Sequence, residues 1–162
     1  MANFLFIHGS GHGAWCFRDL LPQVRALGHS AEAIDLPGHG AKPHPIKDIT
    51  LDLYRDAILD AIGEPTILVG HSMAGYPISA AAEKDPSQIS RLVYLCAYAA
   101  RDGASLVDMR KEAPRQPLME AIERTPDGLG FSVKKDQIKP LFYHDCSDEQ
   151  VAFAAQNLCI QA

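Results

Sequence analysis

The chain has 162 residues, which suffice for one domain with its own hydrophobic core and are too few for two ordinary ones. Its net charge is −5, its 15 lysine and arginine residues are scattered, and no apolar run approaches the roughly 20 residues of a membrane helix. We therefore expect a soluble globular protein that binds neither nucleic acid nor a membrane.

The chain opens with a short apolar run at residues 3–7, which has no basic residues before it and so predicts a buried strand instead of a signal peptide. Apolar residues then recur at helical spacing over residues 17–27. Gly28 is the expected C-cap of this helix, and Pro22 is expected to kink it or split it in two. Residues 29–34 predict a second strand.

The strand–helix rhythm continues to about residue 100. Thr50 is expected to cap a helix with one apolar stripe over residues 51–62. The uninterrupted apolar run at residues 66–69 predicts a strand covered on both faces, and an alanine-rich helix follows to about Lys84. Residues 92–96 predict one more buried strand. This alternation is typical of an α/β fold around a parallel sheet.

Beyond residue 100 the rhythm is lost, and four prolines and mixed polarity replace it. Ser147 and Gln150 form a capping-box pair that opens the last predicted helix. We therefore divide the chain into an α/β core, residues 1–100, and a mostly helical lid, residues 101–162.

The four cysteines show neither a CxxC pair nor the histidine-flanked spacing of a zinc finger. We expect them to be small core residues of a protein in the reducing cytoplasm. They are Cys16, Cys96, Cys146 and Cys159.

Residues 70–75, GHSMAG, form a candidate nucleophile elbow between the strand at 66–69 and the next helix. A serine hydroxyl is a weak nucleophile until it is exposed, oriented and paired with a base, and a G-x-S-x-G turn between a strand and a helix meets the first two needs. Ala74 takes the second glycine position and is small enough for it. The alternative is an ordinary serine N-cap. The context predicts Ser72 as a nucleophile, with His71 beside the pocket.

The glycine-rich loop, residues 8–15 (HGSGHGAW), directly follows the first strand. Acyl transfer requires N–H donors where the carbonyl oxygen becomes negative, and a glycine-rich turn can aim its amides in this way. We expect one donor at Met73 and the other at Ser10. A metal site at His8 and His12 is the competing interpretation, but histidine pairs of this spacing usually bind metal from a helix, and the glycines here oppose one. We therefore predict no metal.

The glycine-rich loop, the DLPGHG turn at residues 35–40 and the GHSMAG elbow together resemble the α/β-hydrolase superfamily. More narrowly, the sequence resembles the branch of plant methylesterases, hydroxynitrile lyases and bacterial aryl and pyrethroid esterases, and FYHDC at residues 142–146 is similar to that branch's lid. The resemblance implies a three-layer α/β-hydrolase fold with a mostly parallel sheet. It also implies Ser72 as nucleophile, the amides of Ser10 and Met73 as oxyanion hole, and no cofactor.

The resemblance also bears on the first loop, where Gly9 and His12 are candidate pocket residues. In the lyases of this branch a threonine follows the first-loop histidine. This chain has Gly9 at that position, which favours an esterase.

The acid and base of the triad are not evident. In the related family they follow two further strand–helix units after the lid, so we expect a fold that is truncated after the lid. Inside the chain, Asp102 and His144 are candidates for acid and base, although a solvated loop aspartate and a lid histidine are the favoured interpretation. His39 and His44 are expected to line a surface loop.

These observations predict a serine carboxylesterase, or the N-terminal fragment of one, that hydrolyses a small, largely apolar ester through an acyl-enzyme. The alternatives are a non-catalytic module that binds small ligands and, less favoured, a hydroxynitrile lyase. Without following strands, the strand at 92–96 would keep an open edge. We expect a second polypeptide with the missing strands, the acid and the histidine to cover it, or else a symmetric copy or the lid.

Overall fold

A parallel sheet of four strands, in the order β2-β1-β3-β4, forms the centre of the molecule. The computed structural model describes all residues from 1 to 162. Each strand lies within two or three residues of its predicted bounds, so the predicted parallel α/β arrangement is confirmed. The strands are β1 Asn3–Ile7, β2 Ser30–Ile34, β3 Thr66–His71 and β4 Ile89–Leu95.

Helices cover both faces of this sheet. Because side chains alternate along a strand, Leu5 and Leu68 join a buried cluster on one face, while Phe6 and Val69 join a second cluster with Phe17 on the other. Helices α2 and α3 pack on the first cluster and α1 on the second, which gives the three layers. Their bounds are α1 Leu21–Ala26, α2 Leu51–Leu59 and α3 Gly75–Lys84.

The helix starts follow from local chemistry. The first helical segment is split, as predicted, into a 3-10 turn at Ala14–Phe17 and α1, in whose first turn Pro22 lies. Proline is tolerated there because the N–H that it lacks would have no partner inside the helix. Thr50 caps α2 as predicted, since its Oγ1 accepts a hydrogen bond from Leu53 N at 3.1 Å.

The prediction that β4 is buried is wrong. This strand pairs with β3 alone, none of its residues is buried, and the side chains of Tyr94 and Leu95 are 39% and 41% exposed. The sheet therefore has an open edge in residues 1–162.

The cysteines were also expected in the core, and that prediction is wrong for three of them. Cys16 is partly buried and packs against the second core cluster. Cys146 and Cys159 are partly exposed outside both clusters, and Cys96 is exposed where it directly follows the open strand β4. All four are free thiols.

The lid segment, residues 101–162, holds four short helices and a two-stranded antiparallel hairpin. Ser147 and Gln150 form the predicted capping box at the start of the last helix. The hairpin was not predicted, because strands of three residues are too short to show a period of two. No helix of the chain is long and apolar enough to cross a membrane. The elements are α4 Leu106–Lys111, α5 Pro117–Ala121, β5 Ile122–Arg124, β6 Phe131–Val133, α6 Ile138–Phe142 and α7 Asp148–Asn157.

Candidate active site

Ser72 lies on a sharp turn between β3 and α3. Its φ is +55°, in the left-handed region that residues other than glycine rarely adopt. Holding such a residue costs on the order of 1–3 kcal/mol, and strain of this kind persists where the surrounding structure fixes it, often at functional sites. At this turn Ser72 lines a cavity. This is the geometry expected for a nucleophile elbow.

Glycines on both sides make the turn possible. A Cβ at Gly70 would lie 2.9 Å from the carbonyl oxygen of Ala74, and one at Gly75 would overlap the carbonyl oxygen of Tyr98. Tyr98 N in turn donates a hydrogen bond of 3.1 Å to Ser72 O, so the segment after β4 is held directly against the elbow. The second glycine of this elbow is therefore needed at position 75, one residue later than in the usual motif.

The glycine-rich loop lies against the elbow at Gly9. A Cβ at this position would be 3.0 Å from Ser72 Cβ and 3.1 Å from His71 Nδ1. The next residue, Ser10, lines the same cavity as Ser72 and Met73, and its N–H donates no hydrogen bond within the chain. The structure thus brings together the candidate nucleophile and the two residues whose amides are the predicted oxyanion donors.

His8 fixes the start of this loop. Its Nε2 accepts a hydrogen bond from Leu36 N at 3.1 Å, so its proton is on Nδ1, which donates to Gly9 O at 2.9 Å. Burial lowers the pKa of His8 to about 4, which keeps the ring neutral. Both ring nitrogens are engaged by the backbone, so His8 has no nitrogen left for a metal.

Asp35, the first residue of the DLPGHG turn, ties that turn to the glycine-rich loop. One carboxylate oxygen accepts from Ala14 N at 2.7 Å and the other from Ala41 N at 2.9 Å. A Cβ at Gly13 or Gly40 would overlap this carboxylate. The turn therefore contributes to the site by anchoring the loop that carries Ser10.

His12 joins the same loop to the lid segment. Its Nδ1 donates to Ser10 O at 2.8 Å, and its Nε2 accepts from the hydroxyl of Tyr143 at 2.8 Å. Burial lowers the pKa of His12 and raises that of Tyr143, so the ring is neutral and the phenol is protonated. His12 lines the cavity, with both of its ring nitrogens engaged in hydrogen bonds.

Gln161 is the residue of this site that the sequence did not reveal. Its Oε1 accepts from Gly11 N at 3.2 Å and lies 3.1 Å from His39 Nε2, while its Nε2 donates to the hydroxyl of Tyr54 at 3.3 Å. His39 is only 1% exposed, so its expected place on a surface loop was wrong. Gln161 belongs to no motif, and only the return of the chain to the glycine-rich loop makes it part of the site.

The cavity beside Ser72 has a volume of about 520 Å³, and most of its lining residues are hydrophobic. The core and the lid segment both contribute. The predicted residues that line it are Gly9, Ser10, His12, His71, Ser72 and Met73, and the apolar lid residues are Leu106, Val107, Leu118, Ile122, Phe131, Val133, Phe142 and Leu158.

The two candidates for acid and base lie elsewhere. Asp102 and His144 are both exposed, and neither lines the cavity. The hydroxyl of Ser72 makes no hydrogen bond within the chain. His71 lines the cavity beside it, and burial lowers the pKa of this histidine. The assignment of an acid and a base within the chain stays a prediction.

Comparison with known proteins identifies relatives of this chain. A model of the alpha/beta hydrolase family matches residues 4–159. Esterase PIR7B of Oryza sativa subsp. japonica is 30% identical over 169 residues, which cover 94% of this chain and 63% of that protein. Putative methylesterase 14, chloroplastic, of Arabidopsis thaliana is 30% identical over 167 residues, which cover 94% of this chain and 48% of that protein. The chain thus spans about half to two thirds of the length of these relatives.

Solved structures show the same fold. The crystal structure of polyneuridine aldehyde esterase matches with a TM-score of 0.83 at 23% identity, over 100% of this chain and 70% of that one. The crystal structure of a methylesterase from Arabidopsis matches with a TM-score of 0.78 at 25% identity, over 99% of this chain and 66% of that one.

Proposed function

The chain belongs to the alpha/beta hydrolase family, and from this premise we propose that it is a serine carboxylesterase, or the N-terminal part of one. The observation that carries the proposal is the left-handed turn at Ser72, which opens onto an apolar cavity beside the glycine-rich loop. The esterase names of its relatives support the same reaction class.

In the proposed reaction, the Oγ of Ser72 attacks the carbonyl carbon of the ester, and its proton goes to a general base. The N–H groups of Ser10 and Met73 stabilise the negative charge on the carbonyl oxygen, each by about 3–4 kcal/mol. The alcohol leaves with a proton from the base, and an acyl-enzyme remains on Ser72. Water then attacks the acyl carbon and gives a proton to the base, which returns it to Ser72 Oγ as the acyl–serine bond breaks and the acid is released.

The substrate that we propose is a small, largely apolar ester, because most residues lining the cavity are hydrophobic. Ester hydrolysis of this kind uses no cofactor. The free state of all four cysteines is in keeping with the cytoplasm, which we propose as the location.

We further propose that the acid and the histidine base come from strands that extend the sheet beyond β4. The exposed edge of β4 supports this, because unpaired N–H and C=O groups with apolar side chains favour pairing. A second polypeptide that carries these strands is the favoured source, with a symmetric copy as the alternative. Asp102 and His144 remain the candidates for an acid and a base within the chain.

A fluorophosphonate probe tests the nucleophile, because it reacts covalently with activated serines. We expect the probe to label the unaltered protein and a Ser87→Ala control, which alters an exposed serine outside the cavity. The Ser72→Ala variant should remain unlabelled. Equal labelling of Ser72→Ala and the unaltered protein would contradict the proposal.

A non-catalytic module that binds small ligands is the second candidate. One observation favours it: the hydroxyl of Ser72 has no hydrogen-bond partner in the chain, and neither Asp102 nor His144 lines the cavity. A p-nitrophenyl acetate assay together with an intact-mass measurement separates the two. Saturable binding of small aromatic esters without turnover, by a protein of 17.6 kDa, would favour the module.

A hydroxynitrile lyase is the third and least favoured candidate. A Cβ at Gly9 would lie only 3.0 Å from Ser72 Cβ, so a threonine at this position would require the elbow or the loop to shift. Release of cyanide from mandelonitrile would support a lyase. A protein that hydrolyses esters but releases no cyanide from mandelonitrile would exclude one.

A further inference from the structure

Arg110 is the one arginine, lysine, aspartate or glutamate among the residues that line the cavity. It lies in the last turn of α4, in the lid segment, and is partly buried. The other lining residues are hydrophobic or uncharged polar, apart from two histidines, and burial lowers the pKa of both. Among the side chains of the residues that line the cavity, that of Arg110 therefore carries the one fixed charge.

This charge has no partner within the chain. No carboxylate lies within 4.0 Å of the guanidinium group, and its Nε is buried without any hydrogen-bond acceptor. Arg101, in the same segment, pairs instead with Glu112 at the surface. The two Nη groups also make no hydrogen bond within the chain but, unlike Nε, they are not buried, so they are the N–H donors that an anionic ligand can reach.

We propose that Arg110 binds a carboxylate on the substrate, so that the cavity selects esters with a second, anionic end. The guanidinium group offers two parallel N–H donors that match the two oxygens of a carboxylate. The apolar walls suit the carbon chain between that carboxylate and the scissile ester. The half-esters of aliphatic dicarboxylic acids have this chemistry. This inference rests on the proposed function and names its substrate class.

Binding is measured first, by calorimetry on the Ser72→Ala protein, in which the ester is not consumed. The ligands are the monomethyl esters of succinic, adipic and suberic acids, each compared with its dimethyl ester. The two members of a pair differ only in the free carboxylate. We expect at least one monoester to bind about tenfold more tightly than its diester, as a charge-assisted bidentate contact allows.

Variants then assign this preference to one side chain. Arg110→Met keeps an unbranched apolar stem without the guanidinium group and should remove the preference, while Arg110→Lys should retain part of it. Lys111→Met removes the same charge from the adjacent exposed position of α4, outside the cavity, and should leave the preference unchanged. Circular dichroism checks that each variant folds.

Two results would overturn the inference: equal or tighter binding of the diester at every chain length, or a preference that survives Arg110→Met. The first result is measured without a variant at Arg110, so it tests the inference even if Arg110→Met fails to fold. Hydrolysis of the same monomethyl and dimethyl esters by the unaltered protein, with Ser72 in place, is measured separately. Selective binding without hydrolysis would contradict the proposed esterase and leave the role of Arg110 standing.

Discussion

The hydroxyl of Tyr143 donates a hydrogen bond of 2.8 Å to His12 Nε2 and so joins two parts of the chain that are 131 residues apart. Through the opposite ring nitrogen, His12 donates to Ser10 O. The lid segment and the loop that carries the predicted oxyanion donor are therefore coupled through one neutral imidazole.

We expect Tyr143→Phe to lower the free energy of unfolding by about 1–3 kcal/mol, because it leaves the buried Nε2 of His12 without a donor. Urea denaturation, followed by circular dichroism, measures this change. Tyr94→Phe is the matched control, since its hydroxyl makes an exposed hydrogen bond with Ser79 of α3 and should matter less. Equal losses in the free energy of unfolding from the two substitutions would show that the hydrogen bond to His12 contributes no more stability than an exposed one.

Acid should destabilise the fold through His8. Its pKa is about 4 in the folded protein and about 6.5 in the unfolded chain, so the unfolded state binds more protons between these values. The contribution of His8 to stability is complete above pH 6.5 and declines as the pH falls towards 4. Between pH 7 and pH 5 we expect a loss of about 2 kcal/mol from His8 alone.

Urea denaturation at the two pH values measures the loss, and His8→Asn is the comparison variant. Asparagine does not titrate, so the variant should be less stable at pH 7 and lose less stability on acidification. His29→Asn removes the histidine immediately before β2 and serves as control. An unchanged pH dependence in His8→Asn would contradict the role assigned to His8.

Close packing at the elbow predicts a strong effect of one added methyl group. In Gly75→Ala the new Cβ would overlap the carbonyl oxygen of Tyr98, and backbone cannot move aside as a flexible side chain can. We expect a loss of at least about 3 kcal/mol in the free energy of unfolding, or failure to fold. Gly63→Ala is the control, because nothing lies within 4 Å of its new Cβ. A thermal melt of Gly75→Ala within a few degrees of the control would contradict the packing argument.

The elbow at Ser72 and the strands β1 and β3 could be predicted because their signals are local: an apolar run, then a turn of small residues. The burial of His39 and the role of Gln161 could not, because both depend on a contact between residues 122 positions apart. The exposure of β4 also could not be read from its own sequence, because residues 92–95 are as apolar as those of a buried strand. Its burial depends on what lies beside it.

The open edge of β4 should promote association of the chain. Residues 89–95 present a row of backbone groups without partners on one side, together with the exposed side chains of Tyr94 and Leu95. Such an edge is a template for association. We therefore expect the isolated chain to form dimers or larger species in a concentration-dependent way, as measured by sedimentation velocity. We also expect the amides of β4 to be protected from hydrogen exchange.

Leu95→Lys should weaken the association, because a charge on an edge strand opposes pairing. Leu27→Lys, at an exposed apolar residue after α1, should not weaken it. Strands supplied on a second polypeptide should compete with self-association and protect the same amides. A monodisperse protein of 17.6 kDa with rapidly exchanging amides in β4 would contradict the proposal that this edge is covered.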